Sequence, residues 1–447
     1  MTSVKIVHKD QDDVLATLVK DDLKEFMSTS LSADPVSDWR RHSFELARTL
    51  ATPTNKDEDF KYFNFRRLDL SGLKPVDVIS ATNSNGRPAS VVRAGLTSIA
   101  SIPDHLKAAD GSDEPPEGYF FGSLHDAVSQ IDDKVECYLR FADSKFPQRK
   151  MVMLSHAYLS GGSFLYVPKR AELSIPRQMY TLISGEQTMT SYAAFAVLEE
   201  LASTELVWDI EADADASGFF NGTLDLVAGA GSKTRLLLNQ ELNQHLDGVL
   251  TVRAHLGKDA ELELVTLNID GRVVQLELDV KMAAPGASAM VNGVYIGRAR
   301  ENFNFLTHQD HQIGDTRSDL YYAGTLAGKS SASYLGKITI APNAQRSDAY
   351  QTDRNLVLNR GVKVNSSPKL EISANDVRCS HGATTSRVSE EEMFYLRSRG
   401  IARDDARILL ADGFLEQVRG RISDGTLSEG FAVRLGRHLS SWRRHDS

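Results

Sequence analysis

Past Met151 the chain changes its rhythm, and that change constrains the fold more than any other feature. Residues 163–168, 262–267, 273–280 and 336–340 are short β-branched or aliphatic runs. Gly, Asn, Asp or Pro breaks such runs every ~8–12 residues, as repeated strand-and-turn structure requires. Few helical windows interrupt them. Ala284-Pro-Gly-Ala287 and Ala341-Pro-Asn-Ala344 each follow a strand-like run. This internal echo suits coils stacked into a solenoid, and it suits two sheets packed face to face as a β-sandwich. The periodicity leaves both architectures open.

Before that point the pattern is helical. Leu15, Leu18, Leu23 and Phe26 recur at helical intervals and predict an amphipathic opening helix over residues 14–28. Asp34 and Pro35 supply an N-cap and a first-turn proline, and Val36, Trp39, Ser43, Leu46 and Leu50 continue one face until Pro53 stops it. Residues 82–117, rich in Asn, Ser, Gly, Pro and Asp, read as irregular connection. Helix is expected again over 123–137, with Cys137 as a packed small residue. At 447 residues the chain has room for several structural units. Three are expected: a mostly helical region with loops over 1–150, a strand-rich core over 151–384 and a C-terminal helical region over 385–447.

Composition removes whole classes of function. A net charge of −9 argues against a nucleic-acid partner, whose binding depends on neutralising phosphates with Lys and Arg. No apolar run reaches the roughly 18 residues that span a bilayer, so no membrane partner is expected. The opening MTSVKIVHKDQDD lacks the apolar segment of a secretory signal, which points to the cytoplasm. Two cysteines, Cys137 and Cys379, are too few for a disulfide framework or a self-contained thiolate cluster site.

The residues best suited to chemistry lie near the end of the strand-rich part. Cys379 and His381 follow the alternating run 369–377. If the extended conformation continues, positions two apart leave the same face. A soft ligand would then stand beside a borderline one. Two protein ligands cannot complete a four-coordinate iron or zinc site, and no Cys-x-x-Cys or His-x-x-x-His pair stands elsewhere. Any metal or sulfur they hold needs ligands from another subunit. The competing structural role packs Cys379 under the terminal helices and has His381 cap a turn before Gly382.

Ser389 and Glu392 form a capping box that opens a helix with Met393, Phe394 and Leu396 on its apolar side. Gly400 ends it. Ile401, Ala406, Leu409, Leu410, Phe414, Leu415 and Val418 carry the apolar face onward, giving a helical hairpin too small to stand alone. Trp442-Arg-Arg-His445 reads as a solvated tail.

Three other patterns take bland readings. Residues 323–330, AGTLAGKS, fit a loose phosphate-loop expression, but residues 331–340 read as strand and not as the helix such a loop requires. His308 and His311 would diverge on a strand, where they serve as surface or hydrogen-bonded residues. His245 and His255 are isolated and structural.

Several of these strings resemble one known family. CSHGAT, followed by SEEEMFYLRSRGI and ARILLADGFLEQV, is similar to the C-terminal signature of the SufB/SufD family of iron-sulfur cluster assembly proteins, most like its SufD side. Gly336-Lys-Ile338, Asn355-Leu-Val-Leu358 and Pro368-Lys-Leu-Glu-Ile372 sit at the family's spacings. TPTNKDEDFKY, from Thr52 on, resembles its N-terminal pattern, with Phe60 where Trp is more usual.

The resemblance implies a mainly β fold: a right-handed parallel β-helix core flanked by N-terminal and C-terminal helical regions. It also implies a non-enzymatic scaffold that pairs through the β-helix with a SufB-like paralogue. The C-terminal helices would carry a SufC-like ATPase on Met393, Phe394, Leu396, Leu409, Leu410 and Phe414, with ATP bound by that partner. A nascent iron-sulfur cluster would form at the subunit interface, with Cys379 as a thiolate and His381 as an iron ligand or sulfur-handling group. No cofactor is expected to stay on this chain alone, and no residue argues for a flavin. Exposed strand edges suit a homodimer of the isolated chain. A plastid stroma replaces the cytoplasm if the source is a photosynthetic eukaryote. The rival expectation is a β-helix polysaccharide hydrolase or lyase with paired carboxylates, for which Asp310, Asp315 and Asp319 are available without a recognised pattern.

Overall fold

The computed structural model describes residues 35–54, 56–57, 60, 68, 70, 72–76, 90–94 and 116–445. The helix expected over 14–28 lies outside them, as does most of 82–117. The N-terminal part holds α1 (Pro35–Thr49), β1 (Lys74–Pro75), β2 (Ser90–Ala94), β3 (Phe120–Ser123), α2 (Leu124–Gln130), α3 (Asp132–Lys145) and α4 (Lys150–Ala157). β2 thus corrects the irregular reading of its stretch.

The core is a succession of strands: β4 (Gly161–Val167), β5 (Arg177–Ile183), β6 (Thr188–Leu198), β7 (Ser203–Ala212), β8 (Gly218–Ala228), β9 (Lys233–Glu241), β10 (Leu246–Leu256), β11 (Glu261–Ile269), β12 (Val273–Met282), β13 (Ser288–Gly297), β14 (Asn302–His311), β15 (Arg317–Leu326), β16 (Ser331–Ile340), β17 (Ser347–Val357), β18 (Lys363–Ile372) and β19 (Val377–Arg387). Three helices follow: α5 (Glu390–Ser398), α6 (Arg403–Arg419) and α7 (Thr426–His445).

From β4 onward the even-numbered strands form one sheet and the odd-numbered strands another, each strand pairing with the next but one. These pairings are parallel. The chain therefore winds as a β-helix of about eight coils, as the resemblance implied. The two echoing Ala-Pro motifs are equivalent turns, after β12 and after β16. At the start of the stack β3 runs antiparallel to β4 and β2 antiparallel to β5.

Alternate residues of strands β4 to β17 fill the lumen. In the middle coils Leu224, Leu226, Leu250, Val252, Leu276, Leu278, Leu264 and Val291 belong to one buried apolar cluster. The outer faces are covered as well, which is why these strands read as continuous apolar runs. Trp39, Phe44, Tyr138, Met151 and Leu154 pack over Phe195, Phe219, Val249 and Val273 of the even sheet. Ile408, Ala411, Leu415, Val418, Leu427, Phe431, Leu435 and Leu439 pack over Val207, Leu237, Val265, Val294 and Ala323 of the odd sheet.

Each helical layer is pinned through a buried carboxylate of the sheet beneath it. Asp209 accepts from Arg434 Nε at 2.7 Å and Nη2 at 2.6 Å, and from Gln178 at 2.7 Å and Asn239 at 3.1 Å. Asp225 accepts from Arg253 Nε at 2.6 Å and Tyr138 Oη at 2.6 Å.

Three expectations need correction. Cys137 is exposed on α3, because Val135, Tyr138, Leu139 and Ala142 take the inward stripe. The run 369–377 is not one strand: β18 stops at Ile372 and a turn precedes β19. The ending is not a tail after a hairpin but a third helix, α7, and the terminal helices lie along the side of the solenoid.

Candidate functional site

The site is the eighth coil. β18 pairs with β16 and β19 with β17, and among the described residues no strand continues either sheet. Both strands consequently carry one row of unpaired backbone groups, and most of their side chains are exposed or half-buried.

Cys379 stands in register beside Ala349 and His381 beside Gln351, both within β19. Residues two apart on one strand share a face, so the thiol and imidazole leave β19 together. That face is the lumen, since Cys379 packs against the buried cluster of Ile338, Ile340, Ala344, Ala349 and Ala374. These residues belong to β16, β17 and the turns beside them, not to a terminal helix. The thiol is half-buried, and burial pushes its pKa up. His381 is exposed and lies mid-strand rather than at a turn. Among the described residues no three His, Cys, Asp or Glu side chains converge to hold a metal ion. This coil offers two donors and an open side.

Beneath it the lumen turns polar. Asn355 donates from Nδ2 to Asp353 at 2.8 Å, and the Tyr295 hydroxyl donates to the Asn355 side-chain oxygen. Asp353 carries no cationic partner in these contacts, and burial pushes its carboxyl up to about 6. The sequence shows Gln351, Asp353 and Asn355 only as polar members of an alternating strand, a pattern that ordinarily marks the solvent face.

The helical residues divide by exposure. Ser389 caps α5, accepting from the amides of Glu391 and Glu392, and Gly400 follows its end with φ +85°. Met393 is 7% exposed, whereas Phe394 is 75% exposed and Leu409 42%. Leu396, Leu410 and Phe414 are half-buried. Phe414 packs beside the outer-face cluster, and its ring lies 5.5 Å from the Arg354 guanidinium.

The other motifs are structural. Residues 323–330 join β15 to β16 with no helix. Gly328, at φ +64°, is required because a Cβ there would lie 2.4 Å from the Arg298 carbonyl oxygen of the preceding coil. His308 bonds Thr339 at 3.0 Å on the outside, and buried His311 bonds Thr316 at 2.7 Å and Ser318 at 2.8 Å. His255 packs edge-on to Phe141, and His245 lies between β9 and β10. Asp315 pairs with Arg346 in a turn, Asp319 pairs with Arg421 at 2.7 Å, and Asp310 accepts from Gln312 at 3.0 Å. A cavity of about 780 Å³ between the strand ends and helices α6 and α7 carries both signs of charge, including Glu241, Asp270, Arg298 and Arg437.

A family model described as "SUF system FeS cluster assembly, SufBD core domain" matches residues 181–414, which is more than half of the chain. The chain belongs to the SufBD family. It is 31% identical over 236 residues to an iron-sulfur cluster assembly SufBD family protein of Mycobacterium leprae, covering 51% of this chain and 60% of that one. It is 27% identical over 415 residues to the iron-sulfur cluster assembly protein SufD of Escherichia coli, covering 91% and 93%. The corresponding protein SufD of Bacillus subtilis is 26% identical over 305 residues, covering 68% and 70%. The match to the mycobacterial SufBD proteins thus spans 49% to 60% of their length. Among the described residues no helix is long and apolar enough to cross a membrane.

Proposed function

We propose that this SufBD family chain is a non-enzymatic scaffold subunit of a complex that assembles iron-sulfur clusters, and that its open eighth coil is the assembly face. The observation that carries the reading is the placement of Cys379 and His381 side by side in the eighth coil, above which no described strand continues either sheet. A thiolate and an imidazole are half of a four-ligand iron environment. A SufB-type paralogue seated on the edges of β18 and β19 would extend both sheets and bring the remaining ligands. The cluster is the cargo of that interface, and Cys379 and His381 hold or orient it there. In the absence of the paralogue, two copies of this chain pair through the same edges.

The C-terminal helices are the surface for a SufC-type ATPase. Phe394 and Leu409 project from α5 and α6, while Met393 anchors α5 to the fold. ATP binding and hydrolysis belong to that partner, and its movement reaches the solenoid through α6 and α7, which rest on the odd sheet. The compartment is the cytoplasm or a plastid stroma. The scattered engagement of Asp310, Asp315 and Asp319 with other side chains favours this role over glycan hydrolysis.

The test is co-expression with SufB-type and SufC-type partners, anaerobic purification, and assay of iron and sulfide. His381→Ala is expected to co-purify with both partners while losing the cluster. Full cluster content in that variant refutes the assembly role of His381. Phe394→Asp, at an exposed position, is expected to weaken recovery of the ATPase subunit with the melting temperature unchanged. Undiminished recovery would move the ATPase dock elsewhere.

A further inference from the structure

Gln351 stands on β17 directly beside His381 in the parallel register. It is 1% exposed, and neither its Oε1 nor its Nε2 has a hydrogen-bond partner. Buried amides are rarely left so, because each unmet donor or acceptor opposes folding. The side chain crosses the lumen toward β16. A Cβ placed on Gly336 would lie 2.3 Å from Gln351 Nε2 and 2.4 Å from the Tyr334 hydroxyl, so this amide occupies the room that the glycine leaves.

One coil higher, the same two columns hold His381 on β19 and Pro368 on β18, in register with Gln351 and Gly336. Adjacent strands are ~4.8 Å apart. That spacing brings an imidazole and an amide on one face close enough for a turn of the side chains to join them, and no bond joins them in the uncovered coil. Among the neighbouring polar groups, Asp353 accepts from Asn355, and the Tyr334 hydroxyl lies 3.0 Å from that of Thr307.

We infer that Gln351 is a positioning residue for His381. When a partner covers the eighth coil, Gln351 Oε1 accepts the N–H of the imidazole nitrogen that is turned away from iron, which fixes the tautomer and the plane of the ring. A histidine that ligates metal nearly always donates its other N–H to such an acceptor. The inference rests on the assembly role proposed above, and it goes further by assigning a function to a buried amide that otherwise serves none.

The test compares Gln351→Leu, which removes the acceptor, with Gln351→Glu, which keeps an acceptor oxygen, in the co-expressed complex alongside His381→Ala. Retained iron and sulfide, partner recovery and melting temperature are measured for each. Loss of an acceptor of this kind typically weakens metal binding ~10–100-fold. Gln351→Leu is expected to show a loss of that size with partners still bound, and Gln351→Glu to restore most of the iron. Equal iron in Gln351→Leu and the parent, while His381→Ala is empty, overturns this inference alone. Full iron in His381→Ala overturns the assembly role with it. If Gln351→Leu does not fold, Gln351→Asn, which withdraws the acceptor by one methylene, must lose iron where Gln351→Glu does not. Equal retention by those two also overturns the inference.

Discussion

Asp353 shows what the lumen does to a single side chain. Burial raises its carboxyl to about 6, against the lowering effect of hydrogen bonds that include those from Asn355 and Tyr295. A raised carboxyl binds its proton more tightly in the folded chain than in the unfolded one. Stability is therefore fully present below the unfolded value near ~3.9 and is lost as pH rises through about 6. Asp353→Asn is expected to abolish that decline and to gain about 2–3 kcal/mol over the parent at pH 8, with the gap closing in acid. Urea unfolding at a series of pH values measures it. At this scale the sequence was only half legible. Cys379 and His381 were identifiable from their types and spacing, and their shared face follows from one strand. The inward direction of Gln351, Asp353 and Asn355 was not, because alternation fixes that two faces differ and not which one meets water.

At the scale of elements, α7 is held by chemistry as much as by packing. Burial raises the Asp209 pKa, yet the Arg434 guanidinium, with Gln178 and Asn239, brings it below the ordinary value. The pair's contribution is therefore present above the usual carboxylate range and lost as pH falls through the lowered pKa. Arg434→Met leaves that carboxylate buried without a cation and is expected to cost about 3–5 kcal/mol near neutral pH. Chemical unfolding checks this, with the difference from the parent narrowing in strong acid. Gly324→Ala tests the solenoid strands in the same way. A Cβ there would lie 2.1 Å from the Tyr295 ring, and a loss of about 1–3 kcal/mol is expected. The helix itself was written in the sequence, since Leu427, Phe431, Leu435 and Leu439 recur every fourth residue. The basic ending drew attention from that stripe. The landing site of the helices was hidden, because Val207, Leu237 and Val265 look the same in a strand buried on one outer face as in one buried on the other.

For the whole molecule, coils touch only their neighbours, so stability decays toward an unpaired end. Amides of β18 and β19 are expected to exchange hydrogen faster than those of β8 to β12, and to become protected when the SufB-type partner binds. Hydrogen exchange followed by mass spectrometry reads both, and no protection on binding would exclude this edge as the interface. The repeated strands were legible because Gly, Asn, Asp or Pro breaks the apolar runs at turn after turn. Choosing a solenoid over a sandwich was not, since both satisfy one alternating pattern and differ only in which strands become neighbours. The stack begins with β2 and β3, which run against it, and finishes on β18 and β19, beyond which no described strand continues either sheet. A block that joins only through its finishing end, as proposed above, has a valence of one. Two such blocks saturate each other and leave no edge for a third, so growth terminates at a pair where a solenoid live at both ends would run on into a fibre.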